Sequence, residues 1–293
     1  MGVKMSDNMK LQNGPCAVEL AAPGAEIMAW RIDGRDLLWH GDPAFWPRRS
    51  PVLFPFCGWT SGGRFRALGR SYATGVHGFA HTAPFHLERL AQDAARMTLA
   101  DTPASLALFP FRFSLAIDVM LDESSVHLDF TVANPGTIPL PFALGYHPGF
   151  RWPFDGGRRE EYRLEFAAPE RPTVPVIAPG GLFSPQTLHL PFDGRVLDPV
   201  AALALQDSLV LRDAASASVD FIAPSGRRIR IASEGFPHWV LWSKPEGGYL
   251  CIERWSGEGD PVGFTGDITE KPGQNLLPPG ETRRFSFACT FID

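Results

Sequence analysis

No stretch of this 293-residue chain approaches the ~20 apolar residues that a membrane-spanning helix needs, so no membrane partner is expected. Nor is there a basic run. The 27 Lys and Arg are interspersed with 32 Asp and Glu for a net charge of −5, which offers nucleic acid nothing to hold. The glycine-rich phosphate cradles G-x-x-x-x-G-K and strand-to-helix G-x-G-x-x-G are missing, which argues against cofactor-dependent chemistry. No G-x-S-x-G elbow offers a serine nucleophile. Cysteine is scarce: Cys16, Cys57, Cys251 and Cys289 lie far apart in apolar stretches, with no C-x-x-C pair. They read as buried thiols of a reducing compartment, and a cytoplasmic protein is expected. The start, MGVKMSDNMK, shows no apolar signal core, although Gly2 with Ser6 matches a short N-myristoylation pattern.

What the chain has in quantity is punctuation. Its 29 Gly and 28 Pro recur every several residues, leaving room for strands and turns but little for long helices. Ile27 to Ile32, then Asp33-Gly34, then Leu37 to Trp39 reads as a hairpin on a two-residue primed turn. Phe113, Leu115, Ile117, Val119 and Leu121 alternate with polar or small residues, and the alternation resumes at Val126, Leu128, Phe130 and Val132. Ser218 to Ala223 and Arg228 to Ala232 flank Pro224-Ser225-Gly226 as a further hairpin. Phe285, Phe287, Cys289 and Phe291 share one face, which puts the last segment inside a sheet. The proline-rich segments 135–141, 167–185 and 272–280 read as long ordered loops. Without an internal repeat or a shift in composition, residues 1–293 are expected to form a single mostly-β domain.

Three short stretches end on a side chain that can move a proton: His77 in VHGFAH, His147 in ALGYHPGF and Glu253 in GGYLCIERWSG. They are too far apart for any one helix or hairpin to unite. Each has aromatic and glycine neighbours, the usual lining of a carbohydrate pocket. Glu253 ends the apolar run Tyr249-Leu250-Cys251-Ile252, and alternation puts it on the same face as Cys251. A carboxylate on an inward face must be paired or functional. The bland alternatives are a structural His77 and a His147 that caps the Pro148-Gly149 turn. His77, His81, His86 and Glu88 offer four metal donors within twelve residues. Along a strand, however, 77 and 81 share a face while 86 points away, and Pro84 interrupts, so no metal site is expected.

Taken together, SPVLFPFCGWTSGGRFRALGRSYATGVHGFAH at 50–81, PFALGYHPGFRWPF at 141–154, LQDSLVLRD at 205–213 and FPHWVLWSKPEGGYLCIERWSG at 236–257 resemble the aldose 1-epimerase, or galactose mutarotase-like, superfamily, particularly its LacX-like bacterial branch. With the terminal GQNLLPPGETRRFSFACTF, the likeness spans nearly the whole chain. It implies a single-domain β-supersandwich that interconverts the anomers of an aldose without a cofactor. It also implies Glu253 as general base, His147 as general acid, His77 near the ring oxygen and Asp207 on sugar hydroxyls. The protein would act on a small-molecule sugar as a monomer or dimer. A hexose 6-phosphate epimerase and a non-catalytic carbohydrate-binding sensor are the alternatives.

Three positions depart from the family pattern. Trp59 and His81 stand where it commonly has Arg, and Arg254 replaces the Pro between Glu253 and Trp255. Arg64 or Arg66 is the expected replacement for the lost guanidinium, and Arg70 and Arg151 are further cations for a phosphate. Trp59, Trp152, Trp239, Trp242 and Trp255 are candidates to stack on a sugar ring, with one or two expected in contact.

Overall fold

Where the alternation is cleanest, strands form as expected in the computed structural model, which describes residues 8–293; the Gly2–Ser6 pattern lies outside them. Asp33 and Gly34 both take positive φ, 49° and 76°, the primed geometry that suits the twist of the flanking Glu26–Ile32 and Arg35–Asp36 strands. Ser114–Leu121 and Ser125–Ala133 pair antiparallel from Ser114↔Ala133 to Leu121↔Val126. Ser218–Ile222 and Arg228–Glu234 form the second expected hairpin. Thr282–Ile292 runs between Arg228–Glu234 and Ser125–Ala133. The last long strand is therefore central in a nine-stranded antiparallel sheet, not at its edge.

A second sheet carries the site. Its order is Ser208–Leu211, His238–Trp242, Tyr249–Trp255, Gly145–Tyr146 and Val52–Leu53, with Gly149–Arg151 also paired to Tyr249–Trp255. Along Tyr249–Trp255, Leu250 and Ile252 point into the main core with Ile117, Phe130 and Phe287. Tyr146 bridges the layers, its ring 5.9 Å from Phe130 and 4.8 Å from Phe287. Each such aliphatic side chain is worth roughly 1.5–3 kcal/mol when fully removed from water, so this face holds the strand in place. Its other face is free to present Cys251 and Glu253.

Segment 167–185 departs from the expected loop. Thr173–Ala178 and Leu182–His189 pair as a hairpin, with a register shift between Pro175 and Ile177. The prolines hid it, because a ring at Pro175 or Pro185 cannot donate to a ladder and breaks the apolar alternation. Two short helices, Pro103–Leu108 and Pro199–Leu203, begin on Thr102 and Asp198 side-chain caps followed directly by proline.

Candidate active site

The site is built on the outward face of Tyr249–Trp255. Val240 lies opposite Glu253 and Trp242 opposite Cys251 on the neighbouring strand. Between Gly145–Tyr146 and Gly149–Arg151 the chain leaves the ladder at His147 and Pro148, and the imidazole lies over Glu253: His147 Nε2 is 3.3 Å from Glu253 Oε1. Trp46 stacks on His147, with ring centroids 4.9 Å apart and planes at 29°. Trp255 Nε1 donates to Glu253 Oε2 at 2.8 Å, while Oε1 has no hydrogen-bond partner among the described residues. Gly145 is required here, because a Cβ would come within 3.0 Å of the Trp255 ring and of Cys57 Sγ.

Both members of this pair are buried, Glu253 to 1% and His147 to 7% exposure. Burial pushes the Glu253 carboxyl well above the usual carboxylate range, and the Trp255 donation only partly offsets it. Burial likewise pushes the His147 imidazole down. The two shifts act in the same direction and favour the pair with its single proton on the Glu253 carboxyl. On the carboxyl it leaves the pair neutral; on the imidazole it makes an ion pair.

His77 is fixed differently. Its backbone takes φ 64° and the next residue, Gly78, φ 74°. A Cβ at Gly78 would meet the Phe54 carbonyl at 2.6 Å, so only glycine fits beside it. The Gly58 amide donates to His77 Nδ1 at 3.0 Å, which assigns the proton of a neutral ring to Nε2. Burial and the nearby His147 hold His77 well below its ordinary value. It is therefore a fixed neutral donor, its ring 5.6 Å from that of His147.

These three groups open onto a cavity of about 740 Å³ whose wall also includes Trp59, His81, Asp207, Trp242 and Trp255. Asp207 is held at the rim by its neighbour: the Gln206 side chain accepts from Ile177 N and donates to the Pro175 and Ser208 carbonyls, tying the segment to the hairpin. A side chain at Gly181 would collide with the Trp59 ring, so the hairpin turn and Trp59 close together over one edge. His81 is lowered by burial and by Arg48, and its buried Nδ1 has no hydrogen-bond partner among the described residues.

Of the expected residues, Arg64 is not brought to the cavity. Along Arg64–Ala67 the exposed and buried residues alternate, and the Arg64 guanidinium turns outward onto Ser71 Oγ and Ser71 O. Arg66, Arg70 and Arg151 are absent from the wall as well. Arg48 stands there instead, which sequence reasoning missed. It is the only Lys or Arg on the wall among the described residues, and its Nη1 is anchored 2.6 Å from the His81 carbonyl and 3.6 Å from Glu26. Of the tryptophans, Trp152 and Trp239 belong to the core, whereas Trp46 lines the cavity unannounced. Arg254 faces away from Glu253 and packs over Trp239, 4.2 Å from the ring centre. His86 and Glu88 are exposed on an edge strand and do not line the cavity with His77.

The aldose 1-epimerase family model matches residues 7–290. The chain belongs to that family. It is 28% identical over 301 residues to the chromosomal Protein LacX of Lactococcus lactis subsp. lactis, covering 97% of this chain and 99% of the relative. A galactose mutarotase-like protein from Lactobacillus casei superposes with a TM-score of 0.90 at 24% identity, covering 97% of this chain and all of that one. A galactose mutarotase related enzyme from Lactobacillus acidophilus gives 0.89 at 26% identity, covering 98% and 97%. The mostly-β supersandwich is thus the fold of this epimerase family member, and its family is one of isomerases. No helix among the described residues is long and apolar enough to cross a membrane.

Proposed function

We propose that the protein is an aldose 1-epimerase that opens and recloses a neutral sugar ring between Glu253 and His147. One observation carries this reading: a buried carboxyl and a buried imidazole 3.3 Å apart on the wall of a cavity sized for a small molecule. Transfer of the pair's proton from Glu253 to His147 makes Glu253 a carboxylate whose Oε2 is held by Trp255, leaving Oε1 to accept the O1 proton. As O1 becomes a carbonyl oxygen, the C1–O5 bond breaks and its electron pair takes the His147 proton at O5. The aldehyde turns about its C1–C2 bond. Recyclisation on the other face runs the same transfers backwards, returning one proton to each site. Each positioned acid or base contributes roughly 10²–10⁴-fold.

His77, fixed as a neutral Nε2–H donor, supports the ring oxygen or a neighbouring hydroxyl, and Asp207 at the rim accepts from others. Arg48 supplies the guanidinium that the family pattern puts at the positions of Trp59 and His81. A single anchored guanidinium and an aromatic wall favour a neutral sugar over a hexose 6-phosphate, which needs converging cations. The deciding experiment is polarimetry on freshly dissolved α-glucose and α-galactose. We expect catalysed mutarotation in the wild type and its loss in Glu253→Gln and His147→Asn. Saturable sugar binding without any acceleration would instead support the carbohydrate-binding sensor.

A further inference from the structure

His147, Cys251 and Glu253 bring a nitrogen, a sulfur and an oxygen donor within 4.8 Å of one another, all three buried. Backbone pairing sets this grouping. Cys251 and Glu253 are two apart on one strand and so share a face, and Gly149, opposite Cys251 in the ladder, follows His147 by two residues. A second observation points to a ligand: Glu253 Oε1, almost wholly buried, has no hydrogen-bond partner among the described residues although it lies 3.3 Å from His147 Nε2. Tetrahedral zinc with bonds of about 2.0–2.3 Å sets its donor atoms about 3.3–3.7 Å apart. The His147–Glu253 separation already fits. The widest gap among the three, at most 4.8 Å, needs to close by only about 1 Å.

We propose that this trio is a zinc site: His147 Nε2, Cys251 Sγ and Glu253 Oε1 hold a soft divalent cation whose fourth position opens to the cavity. A thiolate among the donors selects zinc over magnesium or calcium. Binding expels the thiol proton and the proton shared by the acid–base pair. The metal therefore occupies both groups that would move protons, and zinc inhibits the enzyme rather than assisting it. The binding stands without the epimerase reading; only the inhibition rests on it.

The test uses the full chain, equilibrium dialysis with zinc chloride, and cobalt chloride as a spectroscopic probe. We expect one equivalent of zinc per chain and a near-ultraviolet thiolate-to-cobalt band. Cys251→Ala and Cys251→Ser should each lose the band and bind zinc more weakly by at least the ~10–100-fold that loss of an outer partner costs. Cys57→Ala should keep both. Mutarotation by the wild type should fall with bound zinc, and Cys251→Ala should resist. A wild type without the thiolate band, or a band that survives in Cys251→Ser, overturns the site. A band of the expected kind with mutarotation untouched by zinc would keep the site and overturn the inhibition.

Discussion

Gly58 and His77 hold each other by reciprocal hydrogen bonds: the Gly58 amide donates to His77 Nδ1 and the His77 amide donates to the Gly58 carbonyl, both at 3.0 Å. Gly58 itself takes φ 75°, and a Cβ there would stand 3.0 Å from the Gly259 backbone. The imidazole is therefore set in orientation and in tautomer by a backbone that tolerates no side chain.

For His77→Asn, whose amide oxygen can accept from Gly58 and whose backbone tolerates positive φ, we expect a folded protein without the Nε2–H donor. A lost neutral hydrogen bond costs about 0.5–1.5 kcal/mol, or roughly 2–12-fold in kcat/KM. Because His77 stays neutral, the loss should be the same at pH 6 and pH 8. A loss that changes with pH between those points would mark His77 as a proton-transfer group.

Trp255→Phe removes the donor to Glu253 Oε2 and keeps an aromatic ring. Losing that bond raises the Glu253 carboxyl further, since the donation is what lowers it. The acidic limb of the kcat/KM profile should therefore move to higher pH, with kcat falling about tenfold, the effect of about 1.4 kcal/mol. An unmoved limb would reduce Trp255 to a packing role.

Arg48→Ala should raise KM for glucose or galactose, and Arg64→Ala should not. A hydrogen bond from a charged group contributes about 1.5–3 kcal/mol, roughly 10–100-fold in affinity. Comparing kcat/KM for glucose, galactose and glucose 6-phosphate should show the neutral sugars preferred. A wild type that favours the phosphate would contradict the reading of the wall.

Acid stability gives a check away from the cavity. Burial lowers His238 to about 4, and its Nδ1 accepts from the Asp213 amide. Its unfolded value is near ~6.5, so as pH falls below that point the unfolded chain takes a proton that the fold refuses. Stability from this group is complete above pH ~6.5 and is lost towards pH 4, by up to about 3 kcal/mol. Glu253, shifted upward, acts in the opposite sense. Thermal melts at pH 7 and 4.5 should show a smaller acid-induced drop for His238→Asn than for the wild type; equal drops would refute the assignment.

Much of this was legible in the sequence because strand alternation is local. The Asp33-Gly34 turn, the Ser114–Leu121 and Ser125–Ala133 pair and the face that Glu253 shares with Cys251 each follow from residues a few positions apart. Arg48 could not be found that way. It stands in the run Pro47-Arg48-Arg49-Ser50-Pro51, which has no period, and only Glu26 and the His81 carbonyl aim it at the cavity. Arg64 was misplaced for the opposite reason: its neighbours carry the family resemblance, but its own strand turns it to solvent. Trp46 similarly reaches His147 only through the fold.

Glu253 and Arg254 sit back to back through the sheet, one on the cavity face and the other over Trp239, where burial lowers the guanidinium to about 9. Sliding Tyr249–Trp255 by one residue against His238–Trp242 would exchange them, pushing a carboxylate into the core and a guanidinium into the cavity. The Lys244–Gly248 turn thus acts as a ruler for the chemistry. Lengthening it by one residue is harmless only if the extra residue bulges into solvent; a variant that absorbs it by sliding would invert the polarity of the centre without changing any residue in it.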